Sequence, residues 1–450
     1  MDAEVNKLEK LLKAVEKNEK LILDTQKYVW ENPETGYKEF KTSAYLEKVF
    51  KSMGYEITKA KDIPGFYAVL DTGKEGPEVL ILGELDSVIC PEHPEADKET
   101  GAVHACGHNA QCGTLVGIAA ALKEEGALDG LCGKIKLCAV PAEELLEIEF
   151  RTGLIKEGKI KYYGGKTEFM HRGFFDTTDI AFMFHTDNRL SVDKGSVGII
   201  AKQLTYEGVA AHAGAAPWDG RNALYAATCG LNAANALRET FKEEDIIRFH
   251  PIMTSGGDMV NSIPSSARIE SYVRGRTYGA MQDASRRINQ ALCGAALSLG
   301  TNVDITDSPG YAPLENSSEM IDLLKEAVSW AVPDEKVFET GVVLSGSTDM
   351  GDLSQVMPVV HPYTKGSNGK LHKKDFCIDD PAKASIEPAK IGLAMIYLLL
   401  WDNAKRANEI KKGFKPNFGS IKEYLAYIDS LNVSGKRIEY KDGEAVIKLG

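Results

Sequence analysis

The densest polar cluster of the sequence pairs a thiol with an imidazole: His104-Ala105-Cys106-Gly107-His108-Asn109. Thiolate and imidazole suit zinc and its borderline-soft neighbours. A tight turn at Gly107 would let both side chains converge on one centre. Taken alone, the cluster fits equally a buried cysteine beside a histidine that caps the helix predicted from Thr114.

Two adjacent carboxylates, Glu143 and Glu144, follow a predicted apolar strand. One of them could ligate a divalent ion while the other acts as general base on a water molecule. The pair would also suit the first turn of a helix, where acidic side chains favour the positive end of the helix dipole. The residue types leave both interpretations open.

Two isolated histidines complete the candidate set. His185 comes directly after an apolar run, where a lone histidine is more often a hydrogen-bonded core residue than a ligand. His372 stands among lysines, where a free surface histidine is the ordinary expectation. Five ligands and a spare carboxylate, Glu143, favour a two-metal hydrolytic site over one closed structural zinc. The candidate donors are Cys106, His108, Glu144, His185 and His372.

The predicted elements place these residues at strand ends. Apolar runs at Glu78–Leu82, Lys134–Val140 and Ile180–Phe184 alternate with helical patterns. Such alternation is typical of an α/β fold with a mostly parallel, helix-covered sheet, whose sites lie at the carboxyl ends of the strands. Before this sheet, residues 5–52 predict two helices broken at Asn32-Pro33.

A second domain is predicted from Gly195 onward. The order strand, helix, strand, strand, helix, strand indicates an inserted α+β, ferredoxin-like lid domain. The predicted organisation is a catalytic domain over 1–197 and 311–450, with the lid at 198–310. A polar C-terminal extension, 411–450, contains a predicted hairpin and no residue to which we assign a function.

Composition excludes several classes of protein. The 450 residues carry a net charge of −12, which argues against a nucleic-acid or membrane-surface partner. No apolar run reaches the ~18 residues of a membrane-spanning helix, and Ile391–Trp401 predicts a buried helix instead. The N-terminus has no apolar secretion segment, and the eight scattered cysteines form no Cys-x-x-Cys pair. We therefore expect a cytoplasmic protein.

The sequence resembles the di-metal amidohydrolases and peptidases of the aminoacylase and carboxypeptidase-G superfamily. The closest branch is that of the auxin-conjugate and p-aminobenzoyl-glutamate hydrolases. Asn109, where many relatives have Asp, favours the p-aminobenzoyl-glutamate hydrolase-like branch. The matching stretches run in the family's order and are His104–Asn109, Pro141–Glu144, Phe184-His185, Ala211–Trp218, Asn261–Pro264, Gly346–Asp352 and Gly369–His372.

The resemblance assigns roles by position. Glu143 matches the catalytic base, and His212 matches a lid histidine that reaches a neighbouring site to stabilise the developing oxyanion. Asn261 and Arg274 match lid positions that hold the substrate, and an arginine suits a terminal carboxylate. From the residues alone, His212 would be a turn residue and Arg274 a solvated strand charge. The five candidate donors match the metal ligands Cys106, His108, Glu144, His185 and His372.

The resemblance implies a metal-dependent hydrolase that cleaves the amide bond of small N-acyl or N-aminoacyl amino acids with a metal-activated water. It also implies two zinc or manganese ions per subunit and a homodimer formed through the lid. Two alternatives remain open. Cys106 could be a nucleophile with His108 or His104 as its base, or the protein could be a non-catalytic, metal-stabilised binding protein.

Overall fold

The chain folds into two compact units, and the computed structural model describes the backbone of residues 2–449 and the side chains of residues 8–449. Unit 1 comprises the chain up to Gly195, Glu315–Val342 and Asp352–Lys422. Unit 2 comprises Ser196–Leu314, Val343–Gly351 and the chain from Glu423 onward. Two segments of unit 2 are therefore inserted in the sequence of unit 1, and its third segment follows unit 1.

A six-stranded mixed sheet forms the centre of unit 1. Its strand order is Ile57–Lys59, Phe66–Asp71, Lys134–Val140, Glu78–Glu84, Ile180–Phe182 and Val359–Val360. The last four strands run parallel to one another, and the first two pair antiparallel. All seven residues of Glu78–Glu84 are buried, as expected for a strand covered on both faces. The predicted α/β class is confirmed.

Helices cover the central sheet of unit 1. The helix His108–Ala121 is buried along its whole length. Ala382–Gly413 is long and apolar enough to cross a membrane, yet 78% of its most apolar window is buried, so it is a core helix, as predicted for Ile391–Trp401. The α-helices are Asp2–Lys17, Glu19–Trp30, Phe40–Ser52, His108–Ala121, Ile148–Lys156, Gly165–His171, Ala223–Asn235, Tyr278–Ser298, Ser318–Ala331, Met350–Ser354, Glu387–Gly413 (interrupted at 401–404) and Ile421–Asp429.

Short strands and turns connect these elements. Three single-turn 3₁₀ helices are Pro217–Asp219, Arg238–Thr240 and Glu243–Asp245. The two-residue strands outside the two main sheets are Val88–Ile89, Ala102–Val103, His185–Thr186, Ser191–Val192, Gly195–Ser196, Leu314–Glu315, Phe338–Glu339, Val343–Leu344, Tyr363–Thr364, Ser367–Asn368 and Cys377–Ile378.

Two predicted helix boundaries were wrong. The N-terminal segment forms three helices, because the chain also breaks at Asn18, whose side chain donates to the carbonyl of Ala14. The helix predicted from Thr114 begins six residues earlier, at His108. Apolar periodicity missed the start of this helix because His108, Asn109 and Gln111 are polar although they are buried.

Unit 2 contains an antiparallel sheet with helices Ala223–Asn235 and Tyr278–Ser298. Along the strand Ser266–Gly275 buried positions alternate with partly exposed ones, so only one face of the sheet is packed. This arrangement is the predicted α+β, ferredoxin-like order. The strand order is Arg248–Phe249, Ser266–Gly275, Gly198–Glu207 and Asn302–Tyr311, with Ile252–Ser255 also paired to Ser266–Gly275.

The C-terminal residues from Glu423 onward belong to unit 2, whereas the prediction placed them with residues 311–422. Val433 and Asp307 exchange two backbone hydrogen bonds of 2.8 and 2.9 Å, and the Arg437 amide donates to the carbonyl of Val303. This segment satisfies the otherwise unpaired edge of the lid sheet. It continues into a hairpin, Ile438–Lys441 with Glu444–Ile447, at the predicted place.

Candidate metal centre

The carboxyl ends of the parallel strands carry the acidic and imidazole groups of the site. Glu143 and Glu144 lie in the loop after Lys134–Val140, and the next helix begins only at Ile148. The first-turn interpretation of this pair is therefore excluded. His185 lies three residues beyond the end of the strand Ile180–Phe182, in the short strand His185–Thr186 of a separate sheet.

Cys106 and His108 are positioned by a turn that only glycine accommodates. Gly107 has a φ of +78° at the start of the helix that His108 opens. A Cβ on Gly107 would lie 2.1 Å from the side chain of Thr186. An alanine would therefore be excluded both by the positive φ and by this clash. The turn directs the thiol and the imidazole to the same centre.

The structure brings the five predicted donors together in two groups that share Cys106. Cys106, His108 and His185 offer ligand atoms within 4.8 Å of one another, and so do Cys106, Glu144 and His372. The Cys106 Sγ atom lies 3.3 Å from Nε2 of His185 and 3.2 Å from Nε2 of His372. The Glu144 Oε1 atom lies 3.0 Å from the same His372 nitrogen.

The outer ring nitrogens of two histidines are held by other groups. Nδ1 of His108 lies 2.9 Å from the carbonyl oxygen of Asp86 and 3.2 Å from its Oδ1. Nδ1 of His185 lies 2.8 Å from the carbonyl of Thr186. These contacts leave Nε2 as the ligand atom in both rings. Asp86 also accepts a hydrogen bond from the Glu144 amide.

The charges of the centre favour a deprotonated thiol. Burial and the Glu144 carboxylate raise the pKa of Cys106, but the neighbouring histidines outweigh them and lower it to about 6. Burial likewise raises the pKa of Glu144, and His372 overcomes this effect and lowers it to about 2. The Glu144 carboxylate in turn raises the pKa of His372 to about 12. Anionic ligands and displaceable protons are what a cation site requires.

The donor set fits divalent ions. Bonds of about 2.3 Å to sulfur and about 2.0–2.1 Å to nitrogen leave the two atoms roughly 3.3–3.6 Å apart on one tetrahedral ion, close to the two sulfur–nitrogen distances at Cys106. In addition, the buried His108 Nε2 makes no hydrogen bond with any group in residues 8–449. An ion would satisfy this nitrogen.

The predicted base Glu143 is buried beside these groups. Its carboxylate, a ring nitrogen of His108 and the carboxylate of Glu84 offer atoms within 4.8 Å of one another. Glu84 was missed by the sequence reasoning, because it is the last residue of an apolar strand and belongs to no ligand-spacing motif. A charged residue at the carboxyl end of a buried strand is the signal that could have found it.

The loop that carries Glu143 and Glu144 is held by two buried residues that the sequence also did not reveal. Ala142 has a φ of +58°, and its amide donates to Oε1 of Glu39 at 2.7 Å. Arg151 donates to the carbonyl of Glu144, and also to that of Tyr163 at 2.6 Å. These contacts fix the two carboxylates relative to the strand.

His212 and Asn261 lie side by side in unit 2. The Ala213 amide donates to the carbonyl of Asn261 at 2.9 Å. Nδ1 of the exposed His212 accepts hydrogen bonds from the amides of Gly214 and Ala215. The neutral ring therefore carries its proton on Nε2, which makes that nitrogen a hydrogen-bond donor.

Arg274 lies at the other end of the same lid sheet. Its Nε donates to His250 at 3.1 Å, and Nη1 donates to Ser347 at 3.0 Å. Asn261 precedes the start of Ser266–Gly275, and Arg274 is that strand's next-to-last residue. At ~3.4 Å per residue, the strand separates the two ends by about 27 Å. One lid therefore does not bring Arg274 together with His212 and Asn261.

Known proteins match this chain over most of its length. The model of "Peptidase family M20/M25/M40" matches residues 80–397. The Xaa-Arg dipeptidase of Mus musculus is 28% identical over 404 residues, which cover 86% of this chain and 84% of the relative. A p-aminobenzoyl-glutamate hydrolase component of Escherichia coli K12 is 25% identical over 299 residues, 65% of this chain and 58% of the relative. The family resemblance predicted from the motifs is confirmed.

A solved structure shares the fold. It is described as a dinuclear metal binding peptidase from Bacillus subtilis and superposes with a TM-score of 0.61. It is 17% identical in sequence and covers 85% of this chain and 98% of its own. The match supports the two-domain architecture.

Proposed function

Because the chain belongs to peptidase family M20/M25/M40, we propose that it hydrolyses the amide bond of small dipeptides or N-acyl amino acids. One observation carries the proposal. Three histidines, a cysteine and a glutamate from distant parts of unit 1 meet in two groups around Cys106, with a further carboxylate, Glu143, beside them.

The five donors would hold two divalent ions, and Cys106 is common to both groups of donors. When bound, the ions would polarise the substrate carbonyl and lower the pKa of water to about 7. The thiolate favours zinc, while manganese remains compatible with the imidazole and carboxylate donors.

Glu143 moves the proton in this proposal. Its buried carboxylate accepts a proton from the attacking water and delivers it to the amide nitrogen as the C–N bond breaks. Arg151 and Glu39 keep the carboxylate in place by fixing its loop. The Nε2 proton of His212 is a donor for the developing oxyanion.

The lid residues favour an active site completed by a second copy. Asn261 and Arg274 hold the substrate in this proposal, and the guanidinium suits its free carboxylate. A small substrate does not span the roughly 27 Å between the two ends of one lid. We therefore infer a homodimer in which one lid supplies His212 and Asn261 and the other supplies Arg274.

The names of the relatives suggest the substrate class. The Xaa-Arg dipeptidase and the p-aminobenzoyl-glutamate hydrolase are both named for amides of an amino acid. We propose that this chain likewise releases an amino acid with a free carboxylate. A cytoplasmic location is proposed with it, supported by the eight cysteines, all of which are free thiols.

Metal analysis of the purified protein, paired with a screen of dipeptides and N-acyl amino acids, tests the proposal. The Glu143→Ala variant should retain its ions and lose turnover, whereas Glu149→Gln, an exposed neighbour on the following helix, should behave as wild type. Full activity of Glu143→Ala would end the proposal. Inactivation by iodoacetamide with survival in EDTA would instead identify Cys106 as a nucleophile.

A further inference from the structure

One buried carboxylate near the centre has no role in the proposed mechanism. Glu84 ends the central strand of unit 1 and is completely buried. Its Oε1 forms an ion pair of 2.5 Å with Lys166, which is also completely buried. Two charges are withdrawn from water here, an arrangement that costs free energy unless the geometry is well satisfied.

Gln111 fixes Glu84 at two points. The Gln111 side-chain NH₂ donates to Oε2 of Glu84 at 2.7 Å, and its side-chain oxygen accepts from the Glu84 amide at 3.2 Å. Together with Lys166, these contacts hold the carboxylate in a single orientation. They occupy one lone pair of Oε2 and leave another available.

The available side of Oε2 faces a metal-binding atom. Oε2 lies 3.1 Å from Nε2 of His108, and Nδ1 of that ring is already engaged by Asp86. Bonds of about 2.0–2.2 Å to one ion leave an imidazole nitrogen and a carboxylate oxygen near this separation. In the neutral ring whose Nδ1 proton is directed at Asp86, Nε2 presents a lone pair to this carboxylate, and a cation bound by both atoms would replace that repulsion with attraction.

We propose that Glu84 is a metal-site residue, whose carboxylate, held by Lys166 and Gln111, faces the cation at His108 Nε2 and strengthens its binding. The inference rests on the proposed function, because it assumes that His108 binds an ion. It adds a carboxylate from a third strand end to the donors that the sequence motifs supply.

The strand itself provides a matched control. Glu78, at the opposite end of the same strand, is also buried and forms an ion pair of 2.5 Å with Lys136. Glu84→Gln and Glu78→Gln therefore remove the same charge from equivalent buried pairs. Only the first removes it from the metal centre.

The experiment measures the affinity for Zn²⁺ and Co²⁺ by competition with a chromophoric chelator, and the bound metal by elemental analysis. We expect Glu84→Gln to bind about 10–100-fold more weakly than wild type, the range found for groups that support metal ligands, and Glu78→Gln to match wild type. Equal affinities for wild type and Glu84→Gln would overturn the inference, as would equal losses in both variants.

A second variant covers the case in which an unpaired Lys166 prevents folding. Glu84→Gln/Lys166→Met removes both charges of this ion pair, and the same loss of affinity is expected. Failure of the proposed function gives a different result, since the wild type itself would then bind no stoichiometric metal. A wild type that binds two ions and is active, with unchanged affinity in the double variant, would refute the role of Glu84 alone.

Discussion

Replacing Gly165 by alanine should lower turnover at the metal centre, although Gly165 is not one of its donors. Gly165 opens the helix Gly165–His171, and its amide donates to the carbonyl of Ala142, in the loop that carries Glu143. A Cβ at Gly165 would lie 1.6 Å from the carbonyl oxygen of Pro141. Because the added Cβ is fixed to the backbone of the helix and the oxygen belongs to the backbone of the loop, neither can rotate away, and the helix and the loop must move apart.

The size of the effect follows from this overlap. Ordinary contacts at a Cβ lie beyond 3.4 Å, so the loop has to shift by more than ~1 Å. A misplacement of catalytic groups by about 1 Å lowers the rate about 100-fold. Overpacking should also lower the free energy of unfolding by about 1–3 kcal/mol. Turnover, metal content and thermal unfolding are measured on the same preparation.

Gly153→Ala is the matched control for this prediction. Gly153 lies in the neighbouring helix Ile148–Lys156, and a Cβ there meets nothing within 4 Å. The substitution should stabilise the helix by about 0.5–1 kcal/mol and leave turnover unchanged. Wild-type turnover and metal content in Gly165→Ala would refute the reasoning that this loop must keep its position.

Three further predictions concern groups around the site and the lid. Burial raises the pKa of Glu39, so the contribution of Glu39 to the free energy of unfolding is lost as pH rises from about 4.5 towards the folded-state pKa. Glu39→Gln should flatten this pH dependence of stability in denaturant titrations at several pH values. Glu39→Ala should lower the free energy of unfolding at every pH. His212→Ala should lower kcat about 100- to 1,000-fold with unchanged metal content, and a loss below 10-fold would contradict its role as oxyanion donor. Deletion of 433–450 should expose the lid edge Asn302–Tyr311 and cause aggregation in light scattering; a monodisperse, equally stable product would speak against the capping role of this segment.

Local sequence patterns predicted the strands and most of the candidate donors that the structure brings together. The predicted apolar run Glu78–Leu82 lies within the observed strand Glu78–Glu84, because burial on both faces favours continuous apolar residues. The spacing around a glycine made Cys106 and His108 candidate donors, although by itself it fitted a buried cysteine beside a capping histidine equally well. His372 was not identifiable from its lysine-rich surroundings, and only its place in the family motif suggested that it joins Cys106.

The residues that hold the ligands could not be predicted in this way. Glu39 meets Ala142, and Lys166 meets Glu84, across 103 and 82 residues of sequence. Such pairs depend on how strands and loops pack, and no local period records them. The position of the C-terminal segment was missed for the same reason, since the edge it pairs with lies more than a hundred residues away.

The account depends most directly on two cations meeting at Cys106. Anomalous scattering from crystals of the metal-loaded protein measures their positions. The account predicts two peaks about 3.5–4 Å apart, both adjacent to the Cys106 sulfur, one bonded to His108 and His185 and the other to Glu144 and His372. A single peak bound by four of these residues, or no peak at Cys106, would contradict it.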